Sequence, residues 1–584
     1  MVKKGVGDML YRFGLIMVIF LAHFHLPVAN AKFVLLSITI VIISLVSLRS
    51  KSLLKVEFNV SQLFFSLFIV WSALSVFWSL DSGLALYHLM GWIVILLFAF
   101  SIPHLIYTEV ISHSWLSLCL ISVFTFSFIQ NIAGVQLGYN FSVTWNQFLF
   151  NNSNYTSSHL VSLLPFVLFF PFKNVLLRFM KFVTVVLLIN FLFVMEARGA
   201  FVAATAVVLM YYLLRPSTKF KKQFIWSAGA VFLIAIIYLG WSDQSFSIPI
   251  VESYLEDKES RFYQVASSAK LTLSNLIFGM GFGNWMIEAY SFNLDQVNPF
   301  NNVLNQVRFR FHNLYFSLAA ELGILGVSFF ITPFILIIQK AVRNFSNLSS
   351  FHYACLGSIL TYLICSIFYG IVNIHEYHFS SIQLIGFISL AILSDKLYKK
   401  PINLSRKFGF GLIVIGIITS CYFLWSRSNF VHFKKGQELI ANNLHERAIE
   451  TFESRYNPFF NSSFNSYYTY PQLIANSHDK LGDKAKAIAW YKEAIALRPY
   501  DLETHLDYCN LLLDSNNDAA LVIELLTKFL DIHPSYCRLN ILLTKAYLQN
   551  NEIVKAKDYF NLVDVKCSSK FQSEIEELNN LTAN

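Results

Sequence analysis

At 584 residues the chain has room for more than one domain, but 55% of it is hydrophobic, 16% aromatic and only 14% charged, with a mean hydropathy of +0.53. A globule of this composition would leave extensive apolar surface in water, which excludes a soluble protein for most of the chain and requires a polytopic membrane protein. The formal charge of +9 resides largely in short loops between apolar runs, so it marks membrane topology and not nucleic-acid binding.

Thirteen apolar runs lie near 10–26, 33–48, 62–80, 84–106, 115–133, 158–172, 176–195, 199–214, 224–241, 314–339, 353–373, 379–395 and 408–426. Most have the roughly 17 to 25 residues that cross a hydrocarbon core as helix. Lys3, Lys4 and Arg12 open the chain, and every second loop after them is basic. These loops hold Arg49, Lys51 and Lys55, then Lys173, Arg178 and Lys181, then Arg215, Lys219, Lys221 and Lys222, then Lys340 and Arg343, and last Lys396, Lys399, Lys400, Arg406 and Lys407. Only the loop near 107–114 breaks the series, having no Lys or Arg. The opposite loops are nearly free of basic residues: 27–32 has only Lys32, and 81–83, 134–157 and 374–378 have none. Because cytoplasmic loops retain Lys and Arg, the long polar loop 241–313 is predicted to face outward. An odd number of crossings puts residues 429–584 outside as well. Lys3-Lys4, the first run and Ala29-Asn30-Ala31 imitate a cleavable secretion signal; an uncleaved first helix is the competing reading, and both leave the later orientation unchanged.

From about residue 430 the composition turns polar and charged with helical periodicity, which marks a soluble domain at 429–584 after a membrane domain at 1–428. Ala487, Val522 and Ala556 recur at intervals of 35 and 34 residues, as do Tyr491, Leu526 and Phe560, and Pro499 and Pro534 close two units. This resembles tetratricopeptide repeats, in which small and aromatic positions let antiparallel helix pairs interlock and stack. A degenerate earlier unit includes Ala448 and Phe452, and Asn457–Tyr470 reads as a loop or cap. Such a solenoid binds a protein segment or spaces one domain from another. Among the seven cysteines, Cys119, Cys355, Cys365 and Cys421 lie in apolar helices as small hydrophobes. Cys509, Cys537 and Cys567 in the repeat domain are odd in number, show no metal-ligand spacing and read as structural, with one pair free to oxidise if the domain lies outside.

The outward face carries the chemistry-bearing residues. The long loop holds Arg261, Arg308, Arg310 and His312 near one membrane face, a grouping that suits an anionic, lipid-borne substrate. Phe150–Tyr155, with Asn154, precedes a helix, where its amides either bind sugar hydroxyls or cap the helix. Glu196 and Arg198 stand at the outer ends of two helices, paired with each other or serving a ligand. Arg261 is the residue type that grips a phosphate with two parallel donors. Gly279, Gly281 and Gly283 form a turn whose amides approach an anion or which simply ends a helix. His312-Asn313 opens the next helix, with Glu321, Gly323 and Gly326 following, and an imidazole there can exchange a proton near neutral pH. His375, Glu376 and His378 occupy a short outward loop but offer no fourth ligand, so no metal site is predicted.

Taken together, Phe150-Asn151-x-x-Asn154, Arg198-Gly199, Arg261 before the loop, Gly281-x-Gly283-Asn284 and His312-Asn313 followed by Glu321-x-Gly323-x-x-Gly326 resemble the O-antigen ligase superfamily. That superfamily also holds O-antigen polymerases and bacterial protein O-oligosaccharyltransferases. The resemblance extends over about residues 10–426. It implies an all-α transmembrane bundle of the GT-C type, here followed by a soluble α-solenoid. The implied activity moves a glycan en bloc from undecaprenyl diphosphate to an acceptor hydroxyl, on protein Ser or Thr or on a lipopolysaccharide core, at the periplasmic side of the bacterial inner membrane. In that analogy Arg198 and Arg261 hold the diphosphate and His312 orients or deprotonates the acceptor. Asn154, Arg308, Arg310, Asn313, Glu321, Gly281 and Gly283 contact substrate, and no metal or other cofactor takes part. The partners are then the lipid-linked donor, the acceptor, membrane lipid and a protein bound by the repeats. Polymerisation of lipid-linked units is the alternative within the superfamily. A flippase or transporter would carry ionisable residues deep in several helices, whereas these helix centres are almost uncharged. A scaffold would leave the Arg and His grouping without a purpose.

Overall fold

The computed structural model describes residues 6–22, 31–49, 55–56, 60–136, 153–194, 197–213, 269, 271–285, 313–368, 381–398, 402–403, 406–457, 469–515, 518–530, 536–563 and 572–583. Apart from one two-residue β pair, the regular elements among them are helical. The apolar part comprises α1 (Val6–Ala22), α2 (Ala31–Arg49), α3 (Val60–Ser75), α4 (Ser82–Tyr107), α5 (His113–Gln136), α6 (Ser153–Phe169), α7 (Val175–Val194), α8 (Arg198–Leu213), α9 (Leu314–Arg343), α10 (Ser350–Phe368), α11 (Ser381–Tyr398) and α12 (Arg406–Ala441). These twelve coincide with twelve of the thirteen predicted runs; the run at 224–241 lies outside the described residues. Five described stretches, Ser82–Tyr107, Val175–Leu192, Leu314–Arg343, Ser350–Ile367 and Gly409–Ala441, are long and apolar enough to cross a membrane by themselves.

The helices pack around an aromatic centre. Phe65, Phe68, Trp92, Phe330 and Phe387 meet mostly edge to face with centroids 5.4–6.5 Å apart, a preferred geometry for ring quadrupoles. The helix ends sort into two groups. At one end, Lys181 Nζ of α7 donates to the carbonyls of Leu168 and Phe170 at the end of α6, at 2.7 and 3.2 Å. Lys340 Nζ of α9 stands 3.4 Å over the Tyr398 ring of α11. Strands β1 (Lys55–Val56) and β2 (Ile402–Asn403) pair antiparallel between two basic loops on that side. At the other end, Asn313 before α9 bonds the last turn of α10, its Nδ2 donating to the Ile367 carbonyl at 2.9 Å. Among the described residues, the basic residues Lys181 and Lys340 thus lie at the end opposite the start of α9.

Helix α12 is unusual in running 36 residues without interruption, about 54 Å at 1.5 Å per residue and well beyond a hydrocarbon core. Its first half lies antiparallel to α2: Phe33 stacks on Phe423 at 4.5 Å, and Thr419 Oγ1 donates to Ser37 Oγ at 3.0 Å. Its second half is already part of the polar domain. Phe433 packs against Phe452 and Tyr470 at 5.9 and 5.1 Å, the Tyr470 hydroxyl donates to the Asn429 carbonyl at 3.1 Å, and Gly436 lies so close to the Phe452 ring that an added Cβ would come within 2.3 Å of it. Residues 428 and 429 therefore lie inside one helix, with no linker between them.

The repeat domain continues as α13 (His445–Glu453), α14 (Tyr470–Lys480), α15 (Lys484–Leu497), α16 (Leu502–Asp514), α17 (Ala519–Thr527), α18 (Cys537–Gln549), α19 (Ile553–Asn561) and α20 (Gln572–Ala583). The periodic Ala487, Val522 and Ala556 are each fully buried, and Tyr491 and Leu526 pack with them. Gly482 takes the left-handed conformation, φ +80°, that turns α14 into α15, and Asp483 then caps α15 by accepting the Lys486 amide. Adjacent units are tied by Arg538, whose two Nη atoms each lie 2.6 Å from Glu503 and Asp507. Cys119, Cys355, Cys365, Cys421 and Cys509 have free thiols, whereas Cys537 is disulfide-bonded. A bond at Cys537 takes up the alternative the sequence left open, that one pair of these cysteines oxidises if the domain faces outward. Three cysteines in one domain left the sequence with no basis for pairing two of them. Cys567 lies outside the described residues.

Burial holds the imidazoles of His478 and His505 below their ordinary pKa of 6.5; Asp483 beside His478 and the Asp501 carbonyl beside His505 offset this only in part. The unfolded chain therefore takes up protons near pH 6.5 that the folded domain refuses, so stability present above that pH is lost as pH falls through it. The repeat-domain unfolding transition, followed by calorimetry, is expected to drop by several degrees between pH 7.5 and 5.5. His505→Gln is expected to flatten that dependence.

Candidate functional site

The site is organised by a break in α9. Gly323 has φ 66° and ψ −173°, so the helix is interrupted within its first three turns. Only glycine occupies this region readily, and an added Cβ would sit 2.2 Å from the Ile277 carbonyl oxygen. An interruption frees backbone groups that lipid cannot satisfy. Here the segment 276–281 satisfies them: the Met280 and Gly281 amides donate to the Ala320 and Glu321 carbonyls at 3.0 and 2.9 Å, and the Ile324 amide donates to the Leu276 carbonyl at 2.9 Å. Trp71 Nε1 of α3 donates to the Leu322 carbonyl at 2.8 Å.

The turn Gly279–Trp285 is buried between that break and the α3–α4 connection. Gly279, Gly281 and Gly283 all have positive φ, and Cβ atoms on them would collide with the Glu321 backbone, Ser79 and the His88 ring at 2.3, 2.1 and 2.4 Å. The Phe282 amide donates to Ser75 Oγ at 3.1 Å. Asn284 bonds Asp81 in both directions, and Asp81 in turn caps α4 by accepting the Leu84 amide at 3.0 Å. The amides of Met280, Gly281, Phe282 and Asn284 thus all have protein acceptors. The structure gives Gly281 and Gly283 a packing role, as the residues that let backbone and ring approach this closely.

Glu321 is buried on the same side of the break. Ser317 Oγ lies 3.5 Å from its Oε1, and the backbone N–H groups of Gly283 and Trp285 face its carboxyl group. Asn313 is the N-cap of α9: its Oδ1 accepts from the Tyr315 and Phe316 amides at 3.0 and 3.2 Å. The Tyr315 hydroxyl anchors the same turn to the Leu363 carbonyl at 3.0 Å. Arg198 opens α8, and Asn154 lies in the first turn of α6. At this end α6 begins with a buried polar stretch, Thr156 to His159, and His159 Nε2 lies 3.3 Å from Ser127 Oγ of α5.

The described candidates thus collect at one end of the bundle. Asn313 and Glu321 are joined to the glycine turn through α9, and the starts of α6 and α8 are at that end. Arg261, Arg308, Arg310, His312, Glu196, His375, Glu376 and His378 lie outside the described residues. Among the described residues no group of three His, Cys, Asp or Glu could hold a metal ion. Trp71, Ser75, Asp81 and His88 were not anticipated. Only Asp81 carried a local signal, as a capping residue directly before the apolar run of α4.

A polytopic helical bundle with a braced, broken helix at one end, joined through one continuous helix to an α-solenoid, is the class of protein these features define. Residues 183–331, which run from α7 through the glycine turn and past the break in α9, match the O-antigen ligase family model. Residues 472–501, which hold α14 and α15, match a tetratricopeptide repeat model. The ligase match supports membrane glycosyltransferase activity of the ligase or polymerase type. No curated protein matches the chain.

Gly323→Ala forces a side chain into both a forbidden backbone region and the Ile277 carbonyl. The expected cost is about 2 kcal/mol or more. It should appear as a clear fall in the yield of monodisperse protein in mild detergent, whereas Gly411→Ala, at an open position, is expected to leave the yield unchanged.

Proposed function

We propose that the chain transfers a glycan en bloc from undecaprenyl diphosphate to an acceptor hydroxyl on the periplasmic face of the inner membrane. A protein Ser or Thr is the preferred acceptor and a lipopolysaccharide core the other. The observation that carries this reading is the gathering of the α6 and α8 starts, the glycine turn and the outer half of α9 at the end opposite the basic loops, within and beside the ligase-matched segment. Two features support an outward placement of that end. The basic loops lie at the other end, and α12 leaves the bundle on the site's side and enters a domain in which Cys537 is disulfide-bonded, a state that persists in oxidising compartments.

In this reading His312 takes the proton of the acceptor hydroxyl while the hydroxyl oxygen bonds the anomeric carbon. The bond from that carbon to the diphosphate oxygen breaks, and undecaprenyl diphosphate leaves. Arg198 and Arg261 hold the diphosphate as its charge grows. A cation about 4 Å from such a charge gains on the order of 4 kcal/mol at the effective dielectric of a protein surface. Arg308 and Arg310 precede His312 along the same loop and add to the positive field there. Asn313, next to His312, has its carboxamide occupied by α9 and α10 and so serves by anchoring the start of α9. The repeat domain, built directly on α12, holds a protein partner beside the site. No divalent metal takes part, so EDTA is expected to leave the rate unchanged.

Deleting the gene should make undecaprenyl-linked glycan accumulate and remove sugar from a secreted protein or from lipopolysaccharide; loss of glycan chain length alone would point to polymerisation. Arg261→Ala and His312→Ala are each expected to lower transfer by about 10²–10⁴-fold while the protein still inserts. Full activity in either variant removes the roles given to them.

A further inference from the structure

The turn at 279–285 is held by two kinds of bond. Toward α9 the bonds run from backbone to backbone, Met280 and Gly281 to Ala320 and Glu321. Toward the α3–α4 connection they depend on side chains. Ser75 Oγ accepts the Phe282 amide, and Asn284, with no exposed surface, uses both ends of its carboxamide. Its Oδ1 accepts from the Asp81 amide at 2.7 Å, while its Nδ2 donates to the Asp81 carbonyl at 3.2 Å and to the Phe282 carbonyl at 2.9 Å. A carboxylate has no donor for those two carbonyls, and a glutamine carries its amide one methylene too far.

The break at Gly323 gives this tie its leverage. The outer half of α9 is not a rigid extension of the inner half; its inner end is held by the groups that bind its last carbonyls, the turn and Trp71. Its other end begins at Asn313, directly after His312. We propose that Asn284 is a positioning residue for glycan transfer: by locking the turn to Asp81 it fixes the seat of the first half of α9, the segment that directly follows His312 in the chain. This rests on the role assigned to His312 above.

The test uses the full chain in membranes of the deletion strain, which hold both accumulated donor and unused acceptor, with release of undecaprenyl diphosphate as the readout. In Asn284→Ala, kcat is expected to fall about 10–100-fold while the donor KM stays within about 3-fold, as for a misplaced but intact reacting group. Ser75→Ala takes a different acceptor from the same turn and is expected to show the same split to a smaller degree. Both rates are expressed per monodisperse protein, so that a loss of folded material is counted apart. Unchanged kcat in folded Asn284→Ala beside an inactive His312→Ala overturns the positioning role, as does a loss that appears wholly in KM. An active His312→Ala instead overturns the reading on which the proposal stands.

Discussion

A helix broken inside a membrane must find partners for the backbone groups it releases, because hydrocarbon offers none. That requirement governs the end of this bundle at which α9 begins. The interruption at Gly323 presents the Ala320, Glu321 and Leu322 carbonyls, and they are met by two amides of the glycine turn and by the Trp71 indole. The turn can come close enough only because Gly279, Gly281 and Gly283 carry no Cβ, and it stays in place because Ser75 and Asp81 bind its Phe282 and Asn284 from the other side. The elements that converge on the candidate site are thus arranged by hydrogen-bond satisfaction as much as by apolar packing.

The same constraint explains what could be foreseen from sequence. Apolar runs have to be about as long as the hydrocarbon core is thick, so each described helix of the bundle was legible, down to its alternation of basic loops. The repeat was legible too, since the interlocking of helix pairs demands a small residue every 34 or 35 positions, and Ala487, Val522 and Ala556 are all buried. The glycine turn was visible as a pattern but not as a brace. Its partners Ser75 and Asp81 lie 207 and 203 residues away, and Trp71 is 251 residues from Leu322. No periodicity links such positions. Likewise, nothing local announced that α12 would continue through the predicted domain boundary: its composition changes there, but its hydrogen-bonded ladder does not.

That continuity has a mechanical meaning. A flexible linker would let the repeats sample a wide volume, whereas an uninterrupted helix packed on Phe33 and Ser37 at one end and on Phe452 and Tyr470 at the other restricts that freedom. A partner held by the repeats would be delivered to one place. Binding energy spent on a remote part of an acceptor can lower the cost of orientation at the reacting hydroxyl, provided the two sites are rigidly related.

The chemistry assigned to the site follows from which groups remain able to act. Backbone amides at a glycine turn are a common cradle for phosphate, but here the amides of Met280, Gly281, Phe282 and Asn284 are already committed to protein acceptors. Countercharge for a departing diphosphate must then come from side chains. Guanidinium groups suit this better than ammonium, being able to bond two oxygens at once and to keep their charge at any working pH. With the fold using the turn's amides to brace the broken helix, arginine at 198 and 261 is the residue type the proposed reaction requires.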